Sequence, residues 1–202
     1  NNIAILKPVN LKLHLFLLKD GSKTEIQLTI LTDHSILSYF WGNDNKLVYT
    51  YDNNGDEKYQ IYSVDINTKQ ITTLVKEKES RVSIIDLLPK IKNEILIAIS
   101  NKANNMFDAY KLNIETGEKK LALKNPGNVT GWKTDHNGVI RIISVTDGVN
   151  TGILYRNNEN ETFKLSAYSD FRDEFEPLNF TADNKYVYAL SNYNRDKIAL
   201  VK

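Results

Sequence analysis

The feature that most constrains this chain is self-similarity at a spacing of 48 residues. Shifting by that amount lays Tyr62-Ser63-Val64-Asp65-Ile66-Asn67-Thr68-Lys69 onto Tyr110-Lys111-Leu112-Asn113-Ile114-Glu115-Thr116-Gly117. It also places Asn45 on Asn93, Leu47 on Ile95 and Tyr49 on Ile97. In a weaker copy, Trp132, Asp135, the run Val139–Val145 and Tyr155 echo Trp41, Asp44, the run Leu47–Tyr51 and Tyr62; a fourth starts at Phe180 and Asp183. A repeat of this length is one unit that cannot bury its own apolar face, so copies must stack. Each unit reads as strand, Asp/Asn/Gly turn, strand, hairpin, strand, turn, strand. Four strands in about 45–48 residues is the size of a β-propeller blade.

The strand pattern agrees. Lys46–Asp52 puts Leu47, Tyr49 and Tyr51 on one face and Val48 and Thr50 on the other, while Glu94–Ser100 and Lys185–Ser191 follow the same style. Strands apolar on both faces need cover on both sides, which calls for stacked sheets. The most helix-like spacing runs from Ile84 to Ile95, but Pro89 and Asn93 interrupt it and the repeat assigns its end to a strand.

The expectation is therefore an all-β chain, a β-propeller of four-stranded antiparallel blades, incomplete at about four and a half blades. The whole chain, 1–202, is one partial propeller with blade pieces near 1–35, 36–80, 81–127, 128–175 and 176–202. Residues Ile3–Leu31 read as the later strands of an earlier blade, and Lys197–Val201 as a strand whose blade is unfinished. An open arc leaves apolar faces uncovered, so self-association of the fragment is expected.

Composition excludes several classes. With 26 Lys+Arg against 25 Asp+Glu and no basic cluster, nucleic acid is not the expected partner. The absence of cysteine excludes disulfides, thiol catalysis and cysteine-ligated zinc. The longest apolar run, Ile95–Ile99, is far below the roughly 20 residues of a membrane-spanning helix. The compartment stays open, the cytoplasm favoured over the periplasm. Asn, Lys and Ile make up close to a third of the chain, so the sequons at Asn128, Asn160 and Asn179 match chance.

Several stretches, taken in order, resemble the N-terminal β-propeller of the prolyl oligopeptidase family of serine peptidases, especially bacterial dipeptidyl-aminopeptidase and acylaminoacyl-peptidase-like members. They are Ser38-Tyr39-Phe40-Trp41, Lys46-Leu47-Val48-Tyr49, Asp52-Asn53-Asn54-Gly55-Asp56-Glu57 and Ile61-Tyr62-Ser63-Val64-Asp65. Asp86-Leu87-Leu88-Pro89, Phe107-Asp108-Ala109-Tyr110, Asn125-Pro126-Gly127-Asn128 with Gly131-Trp132, and Ser191 to Asp196 extend the likeness over nearly the whole chain. The resemblance implies a propeller laid over an α/β-hydrolase domain, gating the entry of short peptides. The sequence holds no G-x-S-x-G nucleophile elbow, so no catalytic residue is assigned. The alternative is a stand-alone interaction scaffold of the TolB type.

The remaining candidates are few. His14, His34 and His136 lack metal-pair spacing, and no metal or other cofactor is expected. Asn54-Gly55 reads as a hairpin turn, and the flanking Asp56 and Glu57 are candidates for substrate contact through charge-assisted hydrogen bonds. Some relatives hold a substrate's amino group with propeller carboxylates, but Asp56 and Glu57 do not match that motif. In the acidic stretch Ser169–Glu176, Arg172, Asp173 and Glu174 are candidates for an interdomain contact. Arg195-Asp196 reads as an ion pair fixing a hairpin, and Trp41, Trp132 and Phe180 as packing residues at one recurrent blade position.

Overall fold

The computed structural model describes residues 2–51, 58–77, 79–101 and 106–202. Among them are eighteen strands, no helix, and five antiparallel sheets. The first sheet has three strands, β1 (Ile3–Val9), β2 (Lys12–Leu18) and β3 (Glu25–Gln27). The second holds β4 (Ser38–Asn43), β5 (Lys46–Tyr51), β6 (Gln60–Asp65) and β7 (Ile71–Val75). The third holds β8 (Val82–Asp86), β9 (Glu94–Ser100), β10 (Phe107–Asn113) and β11 (Lys119–Leu123). The fourth holds β12 (Val129–Thr134), β13 (Ile140–Thr146), β14 (Thr151–Tyr155) and β15 (Lys164–Ser169). The fifth has β16 (Phe175–Phe180), β17 (Val187–Ser191) and β18 (Ala199–Val201). Every sheet is a meander in chain order, and the first strands β8, β12 and β16 of successive sheets touch. That is the blade arrangement of a propeller. The helix-like spacing at Ile84–Ile95 resolves into the end of β8, a turn and the start of β9.

Four apolar cores lie between the five sheets, and period-two alternation supplies them. From β5, Leu47 and Tyr49 face the first sheet while Val48 faces the third. From β9, Ile95 and Ile97 face the second sheet and Leu96 the fourth. From β13, Ile143 joins the third core and Ile142 the fourth. Gly42 lets the second and third sheets close: a Cβ there would stand 2.5 Å from Ile114 Cδ1.

Polar latches reinforce the seams at the repeat spacing. Thr134 donates to Asp86 Oδ2, and the His136 amide donates to Asn184 Oδ1 at 2.9 Å, each pair 48 residues apart. Asn43 Nδ2 reaches both Asn93 Oδ1 and Glu115 Oε1 at 2.8 Å, and Lys46 Nζ pairs with Glu115 at 2.7 Å.

One packing expectation needs correction. Trp41 and Trp132 stand two residues from the ends of β4 and β12, whereas Phe180 is the last residue of β16. Phe180 is buried, Trp132 partly buried, and Trp41 is 38% exposed.

Candidate functional site

In these meanders, one end of the stack collects the links between successive sheets and the β5–β6, β9–β10, β13–β14 and β17–β18 hairpins. Loops at the end of a rigid scaffold are where binding residues concentrate. The most elaborate pair is the link between β15 and β16 and the hairpin between β17 and β18. Asn192 clasps them: its Oδ1 accepts from the Glu174 amide at 2.7 Å and its Nδ2 donates to the Arg172 carbonyl at 3.3 Å. Between them opens a cleft of about 460 Å³ whose walls include Tyr168, Asp173, Glu174, Phe175, Tyr193 and Arg195.

The expected trio divides. Asp173 and Glu174 line the cleft, and neither carboxylate has an ion-pair or hydrogen-bond partner among the described residues. Arg172 instead turns back on Asp170, donating from Nη2 at 2.8 Å and from its amide at 2.8 Å. These bonds hold the Asp170 carboxyl below the usual carboxylate range, the Arg172 side chain first among the causes. Arg195 forms no ion pair with Asp196 among the described residues, contrary to the sequence reading. Its Nε donates to the Tyr193 carbonyl at 3.4 Å, and the residue lines the cleft.

Asp56 and Glu57 lie outside the described residues. The strands that flank them are fixed by an aromatic stack in the first seam: His34 on Tyr51 (4.8 Å), Tyr51 on Tyr62 (4.6 Å) and Tyr62 on Tyr49 (5.6 Å). Burial raises the phenols of Tyr49 and Tyr62, and the neighbouring Tyr51 adds to both shifts.

None of the three histidines hydrogen-bonds a serine among the described residues. His14 Nδ1 meets the Thr29 carbonyl at 3.0 Å, His136 Nε2 meets the Phe180 carbonyl at 3.2 Å, and His34 Nδ1 is buried without a partner. No group of three His, Asp or Glu residues among the described ones could hold a metal ion. A serine nucleophile of the kind activated by histidine needs that base adjacent, and no serine–histidine pair is present among the described residues.

Sequence reasoning missed two residues. Asn192 was hidden by the general surplus of asparagine. Arg141, flanked in its strand by Ile140, Ile142 and Ile143, is buried between the fourth and fifth sheets. Its Nη1 donates to the Asn184 carbonyl at 2.9 Å and lies 3.6 Å from Asp135, its Nη2 donates to the Tyr155 hydroxyl, and its guanidinium lies over the Phe180 ring at 4.8 Å.

No family model matches the chain. It is 25% identical over 172 residues to dipeptidyl aminopeptidase BIII of Pseudoxanthomonas mexicana, covering 84% of this chain and 25% of that protein. It is 26% identical over 184 residues to dipeptidyl peptidase family member 6 of Caenorhabditis elegans, covering 80% of this chain and 24% of that protein. The chain thus spans about a quarter of the length of these curated relatives. Among solved structures, a prolyl endopeptidase superposes with a TM-score of 0.65 at 11% identity, over 94% of this chain and 30% of that one. TolB from Acinetobacter baumannii superposes at 0.52 and 11% identity, over 94% and 48%. At such identities the solved structures speak for the fold alone. The resemblance drawn from the sequence motifs holds: the relatives are dipeptidyl peptidases, and the fold is that of a propeller.

Proposed function

We propose that this chain, a propeller segment of the prolyl oligopeptidase type, is the non-catalytic cover of a serine peptidase and gates the access of short peptides to an α/β-hydrolase domain encoded outside this sequence. One observation carries the reading: 84% of the chain aligns with only 25% of a dipeptidyl aminopeptidase. In the parent enzyme the chemistry is acyl transfer from peptide to serine followed by hydrolysis, with a histidine as base and an aspartate orienting it. The propeller supplies shape. Its first strands gather around an axis, and a narrow opening there passes short or unfolded peptides and rejects folded proteins by size. Exclusion of this kind needs rigidity rather than reactive side chains, which accords with the lack of a serine–histidine pair among the described residues.

In this reading the loop-bearing end meets the hydrolase domain. Asp173 and Glu174 are the contact residues, and Arg172 shapes their loop through Asp170. Asp56 and Glu57, between β5 and β6 in the sequence, are proposed as substrate contacts. The longer protein carrying this segment is expected to hydrolyse a dipeptidyl chromogenic substrate and to leave a folded protein of matching sequence intact. Equal cleavage of the folded protein contradicts gating. The second reading, a stand-alone scaffold, draws on the likeness to TolB. A downstream coding sequence without a G-x-S-x-G elbow decides for it.

A further inference from the structure

A second cleft, of about 420 Å³, lies near the axis where β8 and β12 meet, away from the loops between β15 and β18. Its volume falls within the roughly 300–1,000 Å³ of small-ligand sites. Ile84, Leu87, Pro89 and Leu178 give it apolar walls, and Asp86, Trp132, Lys133 and Asn179 are its principal polar lining. The polar groups are unequally engaged. Both oxygens of Asp86 are taken, Oδ1 by the Leu88 amide at 2.9 Å and Oδ2 by the Thr134 hydroxyl. The Trp132 Nε1–H is buried and meets no acceptor. Neither the Lys133 ammonium nor the Asn179 amide has a partner among the described residues.

The unengaged groups that a ligand can reach are thus an ammonium with three hydrogens and a carboxamide able to donate. Lys90 and Lys92, exposed in the same turn as Pro89, add positive charge beside the opening. A ligand that brings acceptor oxygens meets these donors, and an ammonium strengthens the contact when the acceptor is ionised.

We infer that the axial cleft binds a carboxylate borne on an apolar group, with Lys133 as the counter-charge, Asn179 as a further donor, and Leu87 and Leu178 against the apolar part. The same chemistry is offered by the C-terminal residue of a peptide and by a free branched aliphatic acid. Only the choice of a peptide rests on the proposed peptidase role; binding of the carboxylate does not.

The chain has two tryptophans, so Trp41→Phe leaves Trp132 as the sole fluorescent reporter. That variant would be titrated with N-acetyl-alanyl-leucine, with the C-terminal amide of the same dipeptide, and with 4-methylpentanoate. A saturable change in emission with either acid and none with the amide is the expected result. The dipeptide acid alone, or both acids, points to peptide termini; 4-methylpentanoate alone points to free acids. Adding Lys133→Met should weaken binding about tenfold or more, as loss of a charge-assisted bond does, and Lys133→Arg should retain it. If Lys133→Met fails to fold, the exposed Asn179→Ala supplies a smaller loss. Equal binding of acid and amide, no saturable response to either acid, or undiminished binding by a folded Lys133→Met overturns the site while leaving the peptidase reading to its own test.

Discussion

The second and fourth seams between sheets are built on different principles. Between the second and third sheets, nine aliphatic side chains are buried, among them Val48, Ile97 and Leu112, and the ion pair that crosses the same seam, Lys46 with Glu115, is partly exposed. Between the fourth and fifth sheets the buried cluster is smaller, built on Ile142, Ile153 and Phe180, and the Arg141 guanidinium sits beside them with Asp135, Tyr155 and the Asn184 carbonyl as partners. Apolar burial is strong and indifferent to direction, whereas a guanidinium with several fixed acceptors specifies one arrangement. The second seam therefore carries the stability of the stack. The fourth holds the last sheet, and with it the cleft between β15 and β18, in register.

The largest effect should come from the apolar seam. Ile97→Ala removes a fully buried side chain from it and should cost about 2–5 kcal/mol, read as a fall in the denaturation midpoint shared by all five sheets. Arg141→Ala should cost less overall, about 2 kcal/mol, because Asp135 keeps the Asn137 and Val139 amides as donors. Its signature is local: amide exchange should rise in β16–β18 while β5, β6, β9 and β10 stay protected. Uniform loss of protection in Arg141→Ala would erase the distinction between the seams.

A smaller contrast lies in pH. Tyr49 and Tyr62 in the first seam have folded-state phenols raised above the ordinary value of 10.0, chiefly by burial. Their contribution is complete below that unfolded value and is lost as pH rises beyond it. At the hairpin between β13 and β14, the Asn150 and Val149 amides and the Asn150 side chain hold the Asp147 carboxyl down to about 2. Its contribution is present above the unfolded carboxylate range and is lost as pH falls toward 2. Tyrosinate absorbance should show two late-ionising phenols, and the Asn150 amide resonance should shift only in strong acid. A shift of that resonance near pH 4 would show that the turn does not hold the carboxylate.

These contrasts mark what could be read from the sequence. Leu47 and Tyr49 against Val48, or Ile95 and Ile97 against Leu96, alternate because each middle sheet serves two cores, and that pattern is written directly in the residues. Arg141 defeats the same logic, since a charge in a strand reads as a solvent-facing position until its acceptors from a neighbouring sheet are known. Phe180 lies 48 residues after Trp132 yet ends its strand, because a fixed repeat spacing cannot express where each strand stops. At the candidate site, the acidic link was visible as charge density. The division of Arg172 from Asp173 and Glu174 was not, because a local pairing with Asp170 captured the arginine. Arg195 likewise prefers the Tyr193 carbonyl two residues back over its neighbour Asp196.

The central claim is that this chain shapes access to a peptidase centre without contributing a catalytic group. Treating the isolated chain with a fluorophosphonate probe tests it directly, since such probes report a serine activated by an adjacent base. The account predicts no labelling of any of the eleven serines and no hydrolysis of dipeptidyl chromogenic substrates. Stoichiometric labelling of one serine, abolished by substitution of His14, His34 or His136, would contradict it.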